Sequence, residues 1–227
     1  MTGPRGKAIL RADVLDKGFV ELIDYMGDDD AVVDAARVSY GKSANQYSDE
    51  KNARLTQYLR DHNHGTPFEM VTFKFRVNAP VLVWWHWVRH RVASYNFISG
   101  RYVPFDETQV YVPDDAGWRY QSATNKQGSD GELPEGDGRA LGAELDAHID
   151  KSFALYNWAL ELGVAKEQAR VYLPFAACYY QAIVQMNARS LQNFFDQRRD
   201  GHAQSEIRDY AEALYGIVHQ THPRIFP

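Results

Sequence analysis

The clearest alternation of apolar and polar residues lies at Val71-Thr72-Phe73-Lys74-Phe75-Arg76-Val77. Period 2 sends successive side chains to opposite faces, so this segment predicts a strand with one buried and one wet side. A helical period takes over near the end of the chain. Ile207, Tyr210, Ala211, Leu214, Ile217 and Val218 fall at i, i+3, i+4, i+7, i+10 and i+11, a single apolar stripe that Pro223 terminates. A second long helix is predicted over about 141–162. Leu141, Leu145, Ile149, Phe153, Tyr156 and Leu160 form its stripe, and Gly163 supplies a stop. Shorter helices are predicted over 30–38, 50–62 and 80–91. The last can start at Pro80, where a missing N–H costs nothing.

Between 113 and 139 the composition shifts to Gly, Asp, Glu, Ser and Asn, which predicts a long mobile loop within a single domain rather than a domain boundary. No internal repeat is present. Strands early and helices late favour an α+β fold. At 227 residues and 44% hydrophobic content the chain can bury a sizeable core. A net charge of −5 argues against broad nucleic-acid binding, so any anionic ligand must meet a local basic pocket. The single cysteine, Cys178, excludes an intramolecular disulfide, and no apolar run approaches the roughly 20 residues needed to cross a bilayer. The expectation is a soluble cytoplasmic protein.

Three segments carry candidate chemistry. In Arg89-His90-Arg91-Val92-Ala93-Ser94-Tyr95-Asn96-Phe97-Ile98-Ser99-Gly100-Arg101-Tyr102, a helix running through Arg91 would place His86, Arg89 and His90 on one face, opposite a stripe of Val81, Trp84 and Val88. The serines, asparagine and glycine that follow suit a turn presenting N–H groups to an anion such as phosphate. The alternative is a solvated basic helix end. A metal site at His86 and His90 is disfavoured by the flanking arginines and by the lack of a carboxylate between the histidines.

In Asn187-Ala188-Arg189-Ser190-Leu191-Gln192-Asn193-Phe194-Phe195-Asp196-Gln197-Arg198, the residues Ala188, Leu191 and Phe195 form a buried side, with Arg189 and Asn193 on another. Arg198 returns to the apolar face two turns after Leu191. A guanidinium there needs a partner, either a ligand or a core carboxylate, unless it snorkels to water. His64-Gly65-Thr66-Pro67-Phe68-Glu69 reads as a helix-to-strand turn with a hydroxyl and a carboxylate. Gly136, Gly138 and Gly142 do not make a dinucleotide fingerprint, because Leu141 takes the third glycine position and no strand precedes them. Cys178 has no neighbouring base or cation to lower its pKa and reads as a small buried hydrophobe.

Arg89-His90-Arg91, seven residues and then Ser99, extended by Arg101-Tyr102, resembles the defining motif of the flavin-dependent thymidylate synthase (ThyX) family. Segments at 16–22, 36–39, 64–69, 169–174 and 187–190 resemble the same family, leaving only the region near 113–139 uncovered. The resemblance implies a homotetramer of α+β subunits, each with a mixed sheet flanked by helices, and sites built by more than one subunit. By that analogy Thr66, Arg89, His90, Arg91, Asn187, Arg189 and Asn193 bind FAD, with His64 and His202 nearby. His86, Arg89, Phe97, Ser99, Gly100, Arg101, Arg170 and Arg198 hold the nucleotide. Arg198 is the catalytic residue, 5,10-methylenetetrahydrofolate the carbon donor and NADPH the reductant, and dUMP is methylated at C5.

Two positions depart from the family pattern. Phe97 stands where Glu or Gln is common, and His86 stands where Gln or Glu is common. Phe97 offers no side-chain hydrogen bond, and loss of a directional contact weakens discrimination between similar substrates. Relatives in nucleoside-antibiotic pathways methylate UMP, so the implied substrate is dUMP, UMP or both. The competing readings are a flavin oxidase or reductase that lost methyl transfer and a non-catalytic nucleotide-binding protein.

Overall fold

The computed structural model describes residues 10–227. Its elements run β1 Leu10–Val14, β2 Gly18–Met26, α1 Asp29–Arg37, α2 Asp49–Asp61, β3 Thr72–Pro80, α3 Val81–Trp87, β4 Ser94–Phe97, β5 Arg119–Gln121, β6 Ser129–Glu132, α4 Glu135–Glu161, α5 Lys166–Ala169, β7 Tyr179–Asn187, α6 Ala188–Arg198 and α7 Ser205–Thr221. Five strands form one sheet in the order β1-β2-β3-β7-β4. Every pairing in it is antiparallel, which corrects the expected mixed sheet: the strands are linked without a parallel crossover.

The alternation in β3 does what its period requires. Phe73, Phe75 and Val77 are buried, and they lie opposite Met186, Val184 and Ala182 of β7, which are buried too. On the other face Arg76 is exposed and pairs with Glu21 at 3.1 Å. All six stripe residues of α7 are buried against this sheet and α6, each contributing about 1.5–3 kcal/mol for the larger side chains. In α4, Ile149, Phe153 and Tyr156 join Val110, Leu173 and Cys178 in a smaller second core, while Leu141 stays largely exposed.

Two further expectations are corrected. The 113–139 segment is not an unstructured loop: β5 and β6 pair as a two-stranded ribbon, and α4 begins at Glu135, six residues before the apolar stripe. Gly136, Gly138 and Gly142 therefore lie inside a helix, and a Cβ at Gly138 would collide with the Asp115 carbonyl oxygen. Helix α3 ends at Trp87 rather than Arg91, because the chain must turn to lay β4 beside β7. No helix among the described residues is long and apolar enough to cross a membrane.

Candidate functional site

Helix α6 starts where the sequence lets it. Asn187 is its N-cap, with Oδ1 accepting from the Ser190 amide and hydroxyl at 2.8 Å each. Ala188, Leu191, Phe194 and Phe195 are buried, which turns Arg198 toward the interior near the Arg-His-Arg turn. There its Nε donates to His90 Nε2 at 2.9 Å, and Nη2 approaches the His86 carbonyl oxygen at 3.4 Å. No carboxylate among the described residues pairs with it, so the core salt bridge is not formed.

His90 is 7% exposed. Burial, then the Arg198 charge, lowers its pKa to about 4, so at neutral pH the imidazole is uncharged. Its Nε2 accepts from Arg198, which places the proton on Nδ1. Burial also pulls the Arg198 pKa down. The result is a half-buried, partly desolvated cation whose side-chain partner carries no compensating charge.

Because α3 stops early, His86, Arg89 and His90 do not share a helical face, and Val88 is exposed rather than part of an apolar stripe. His86 turns to Gln204, His90 turns inward, and Arg89 and Arg91 remain exposed. Arg89, His90 and Arg91 line a cleft of about 590 Å³ with Glu69, Val92, Asn187, Arg189, Ser190 and Asn193. Arg189 pairs with Glu69 at 2.6 Å; among the described residues the Arg89 and Arg91 side chains have no ion-pair partner.

Arg189 and Asn193 also border an adjoining hollow of about 300 Å³ that contains His64 and Gly65. A Cβ at Gly65 would lie 2.5 Å from Arg189 Nε, so any larger residue there displaces the Arg189 side chain. The folded chain thus gathers seven of the nine residues expected at a flavin. Thr66 opens a 3₁₀ turn beside Gly65, is exposed and lines neither hollow. His202 lines neither hollow; it is bonded to Asp200 at 2.7 Å and borders a different cleft between the β5–β6 ribbon and α7, which also includes Gln204.

The residues expected at the nucleotide fall into two groups. Gly100 is buried under Tyr180 and Phe105: its N–H donates to the Tyr180 hydroxyl at 3.4 Å, and a Cβ would lie 2.5 Å from Phe105 Cε2. Ser99 Oγ accepts from the Arg101 amide at 3.3 Å. Arg101 pairs with Glu167 Oε2 at 3.1 Å, and Arg170 Nε donates to the Glu167 carbonyl oxygen at 3.2 Å, so both arginines converge on one residue. Arg198 and His86 belong to the other group, around the Arg-His-Arg turn.

Phe97 sits in β4 opposite Ala182, its ring 4.8 Å from Trp84 and 5.8 Å from Tyr180 between centroids. It packs among aromatic rings on the side of the strand that faces the core. Cys178 is 1% exposed and burial pushes its thiol up to about 12, so thiolate chemistry is closed to it at neutral pH.

The sequence pattern gave no notice of Gln204 and Glu206, which hold the His86 side chain. Their positions just before and inside the first turn of α7 read only as helix-start chemistry, and their link to His86 is made entirely by tertiary folding.

The thymidylate synthase complementing protein (Thy1) family matches residues 21–224. The chain is 42% identical over 217 residues to a flavin-dependent thymidylate synthase of Thermosipho africanus, covering 94% of this chain and 91% of that one. It is 43% identical over 223 residues to an enzyme of the same name from Thermus thermophilus, covering 98% of this chain and 77% of that one. Among solved structures it resembles the UMP/dUMP methylase PolB from Streptomyces cacaoi bound with 5-Br dUMP (TM-score 0.82, 29% identity, 95% of both chains). The same enzyme bound with 5-Br UMP gives a TM-score of 0.82 at 29% identity over 94% of both chains. The protein is accordingly a methyltransferase-like enzyme that belongs to the thymidylate synthase complementing protein family, that of the flavin-dependent thymidylate synthases.

Proposed function

We propose that the protein methylates C5 of a uridine 5′-monophosphate, dUMP, UMP or both, using FAD, 5,10-methylenetetrahydrofolate as carbon donor and NADPH as reductant. The observation that carries this reading is Arg198, a half-buried guanidinium whose side-chain partner is the neutral His90. A fixed cation without a carboxylate partner is suited to charge that develops on a substrate, and a guanidinium does not lose its proton while serving it.

The residues fit the proposed cofactor. Arg89, Arg91 and Arg189 offer cations to its phosphates, and Asn187 and Asn193 offer amides beside them. Gly65 leaves the space that the Arg189 guanidinium occupies. Reduced FAD, when bound, supplies hydride to the uracil. An enzyme thiolate at C6 is the other way to activate C5, and the buried Cys178 cannot provide it. Ser99, Gly100, Arg101 and Arg170 hold the nucleotide, with the guanidiniums of Arg101 and Arg170, which converge on Glu167, as its cations, and Arg198 stabilises negative charge on the base.

Among the described residues no hydrogen bond or ion pair joins Arg198 or His86 to Ser99, Gly100, Arg101 or Arg170, an arrangement that suits a homotetramer in which Arg198 of one subunit completes the site begun by Ser99 and Arg101 of another. We place the working enzyme in the cytoplasm. The two ligands seen in PolB support a site open to either sugar.

The test is release of tritium from C5-labelled dUMP and UMP. Release that depends on methylenetetrahydrofolate and NADPH is expected. NADPH oxidation without tritium release from either nucleotide would instead establish a flavin oxidase or reductase.

A further inference from the structure

The His86 side chain is held by a line of hydrogen bonds that ends on the β5–β6 ribbon. His86 Nε2 lies 2.8 Å from Gln204 Oε1, and Gln204 Nε2 donates to Glu206 Oε2 at 2.8 Å. Glu206 Oε1 accepts from Arg119 Nη2 at 2.5 Å and from the Tyr111 hydroxyl at 3.4 Å. Arg119 is itself fixed, with Nε on Ser129 Oγ and Nη1 on the Gly117 carbonyl oxygen, each at 3.1 Å. Glu206 is 5% exposed. Burial raises its pKa, but hydrogen bonds from Arg119 and Gln204 outweigh that and hold it below its ordinary value, so it is ionised at neutral pH.

The line has a direction. An ionised carboxylate only accepts, so the amide nitrogen of Gln204 must face Glu206 and its amide oxygen must face His86. An amide oxygen also only accepts, so His86 Nε2 carries a proton. In a neutral imidazole the remaining nitrogen, Nδ1, is then an acceptor. His90, four residues on, takes the opposite tautomer because its Nε2 accepts from Arg198.

We propose that Arg119, Glu206 and Gln204 form a positioning relay that fixes His86 as the Nε2–H tautomer and presents Nδ1 as a hydrogen-bond acceptor to an N–H or O–H donor of the nucleotide. The relay rests on the reading of His86 as part of the nucleotide site. It starts in the β5–β6 ribbon and ends at one of the two motif positions that depart from the family pattern. A uridine nucleotide has two donor classes suited to Nδ1, the uracil N3–H and the ribose hydroxyls. Of these only the 2′-hydroxyl differs between UMP and dUMP.

The experiment is two-bond proton–nitrogen NMR on flavin-loaded protein labelled with 15N-histidine, with His86 assigned from His86→Asn, alongside steady-state kinetics. Wild type should show the Nε2–H tautomer at His86, and its Nδ1 resonance should shift on addition of UMP alone. Gln204→Leu and Glu206→Gln should give a tautomer mixture and raise the nucleotide KM about fivefold, the loss of one neutral hydrogen bond, with flavin content unchanged; Arg119→Lys should keep most of the wild-type pattern. Equal KM increases for UMP and dUMP assign a donor that both share, the uracil N3–H or the 3′-hydroxyl, and an increase confined to UMP assigns the 2′-hydroxyl. An Nδ1–H tautomer in wild type, no shift with UMP, or an unchanged tautomer and KM in both variants would overturn the relay. Tautomer and UMP shift need no turnover, so they decide the relay even if methyl transfer itself is refuted.

Discussion

Replacing Arg198 with methionine separates catalysis from folding. The guanidinium is partly desolvated and has a neutral imidazole and a carbonyl oxygen as partners. Removing it abolishes a desolvation cost but leaves His90 Nε2 without a donor. A buried acceptor without a partner costs about 1–3 kcal/mol, although His90 borders the cleft, where water can replace the lost donor. The two effects oppose each other, so the expected net change in unfolding free energy is below about 2 kcal/mol. Catalysis should respond differently: losing one donor aimed at developing charge lowers kcat about 10²- to 10³-fold.

The assay combines initial rates of nucleotide methylation, the flavin absorbance of the purified variant and urea unfolding. Arg198→Met should be folded and yellow, with turnover down by at least two orders of magnitude. The His90 pKa should rise only part of the way from about 4 toward 6.5, because burial is the larger cause of its shift. A stability loss of about 3–5 kcal/mol, as when a buried ion pair is broken, with activity falling only in step with the folded fraction, would refute the reasoning and restore a structural role.

Gly65→Ala should weaken flavin affinity roughly tenfold to a hundredfold, the loss of a charge-assisted hydrogen bond, because its Cβ would lie 2.5 Å from Arg189 Nε; flavin titration measures it, and the backbone at Gly65 (φ −75°) accepts alanine without strain. Phe97→Glu should cost about 1–3 kcal/mol in urea unfolding, less than a fully buried ring would, since the half-buried ring packs on Trp84 and Tyr180. It should also change the ratio of kcat/KM for dUMP over UMP, and an unchanged ratio removes Phe97 from sugar selectivity. His90 makes the fold acid-sensitive. Between pH 6.5 and about 4 the unfolded chain binds a proton that the folded chain does not, so its contribution is present above 6.5, declines as pH falls through that window and levels off below it. The total is on the order of 3 kcal/mol, and urea unfolding of wild type and His90→Asn across that range should show the difference.

Elements whose period is carried by their own residues were legible in the sequence. The α7 stripe and the β3 alternation needed nothing beyond side-chain periodicity, and both are buried as that periodicity requires. The central strand β7 was not foreseen. Ala182, Val184 and Met186 alternate with Gln181, Ile183 and Gln185, but the apolar run 174–180 in front blurs the period. The early end of α3 could not be read either, because β4 is fixed by pairing with β7 some 90 residues away in sequence. Arg198 was legible as a guanidinium on an apolar face that needed a partner. That the partner is an imidazole 108 residues distant follows only from tertiary folding. The same holds for the division of the nucleotide residues between Glu167 and the Arg-His-Arg turn and for the placing of His202 in the cleft beside the β5–β6 ribbon.

The most direct test is mass spectrometry of the nucleotide products formed when flavin-loaded protein is given methylenetetrahydrofolate, NADPH and either dUMP or UMP. The account predicts a product carrying a methyl group at C5 from at least one nucleotide, and none from either with Arg198→Met. Unmodified dUMP and UMP after complete NADPH consumption by the wild-type protein would contradict it.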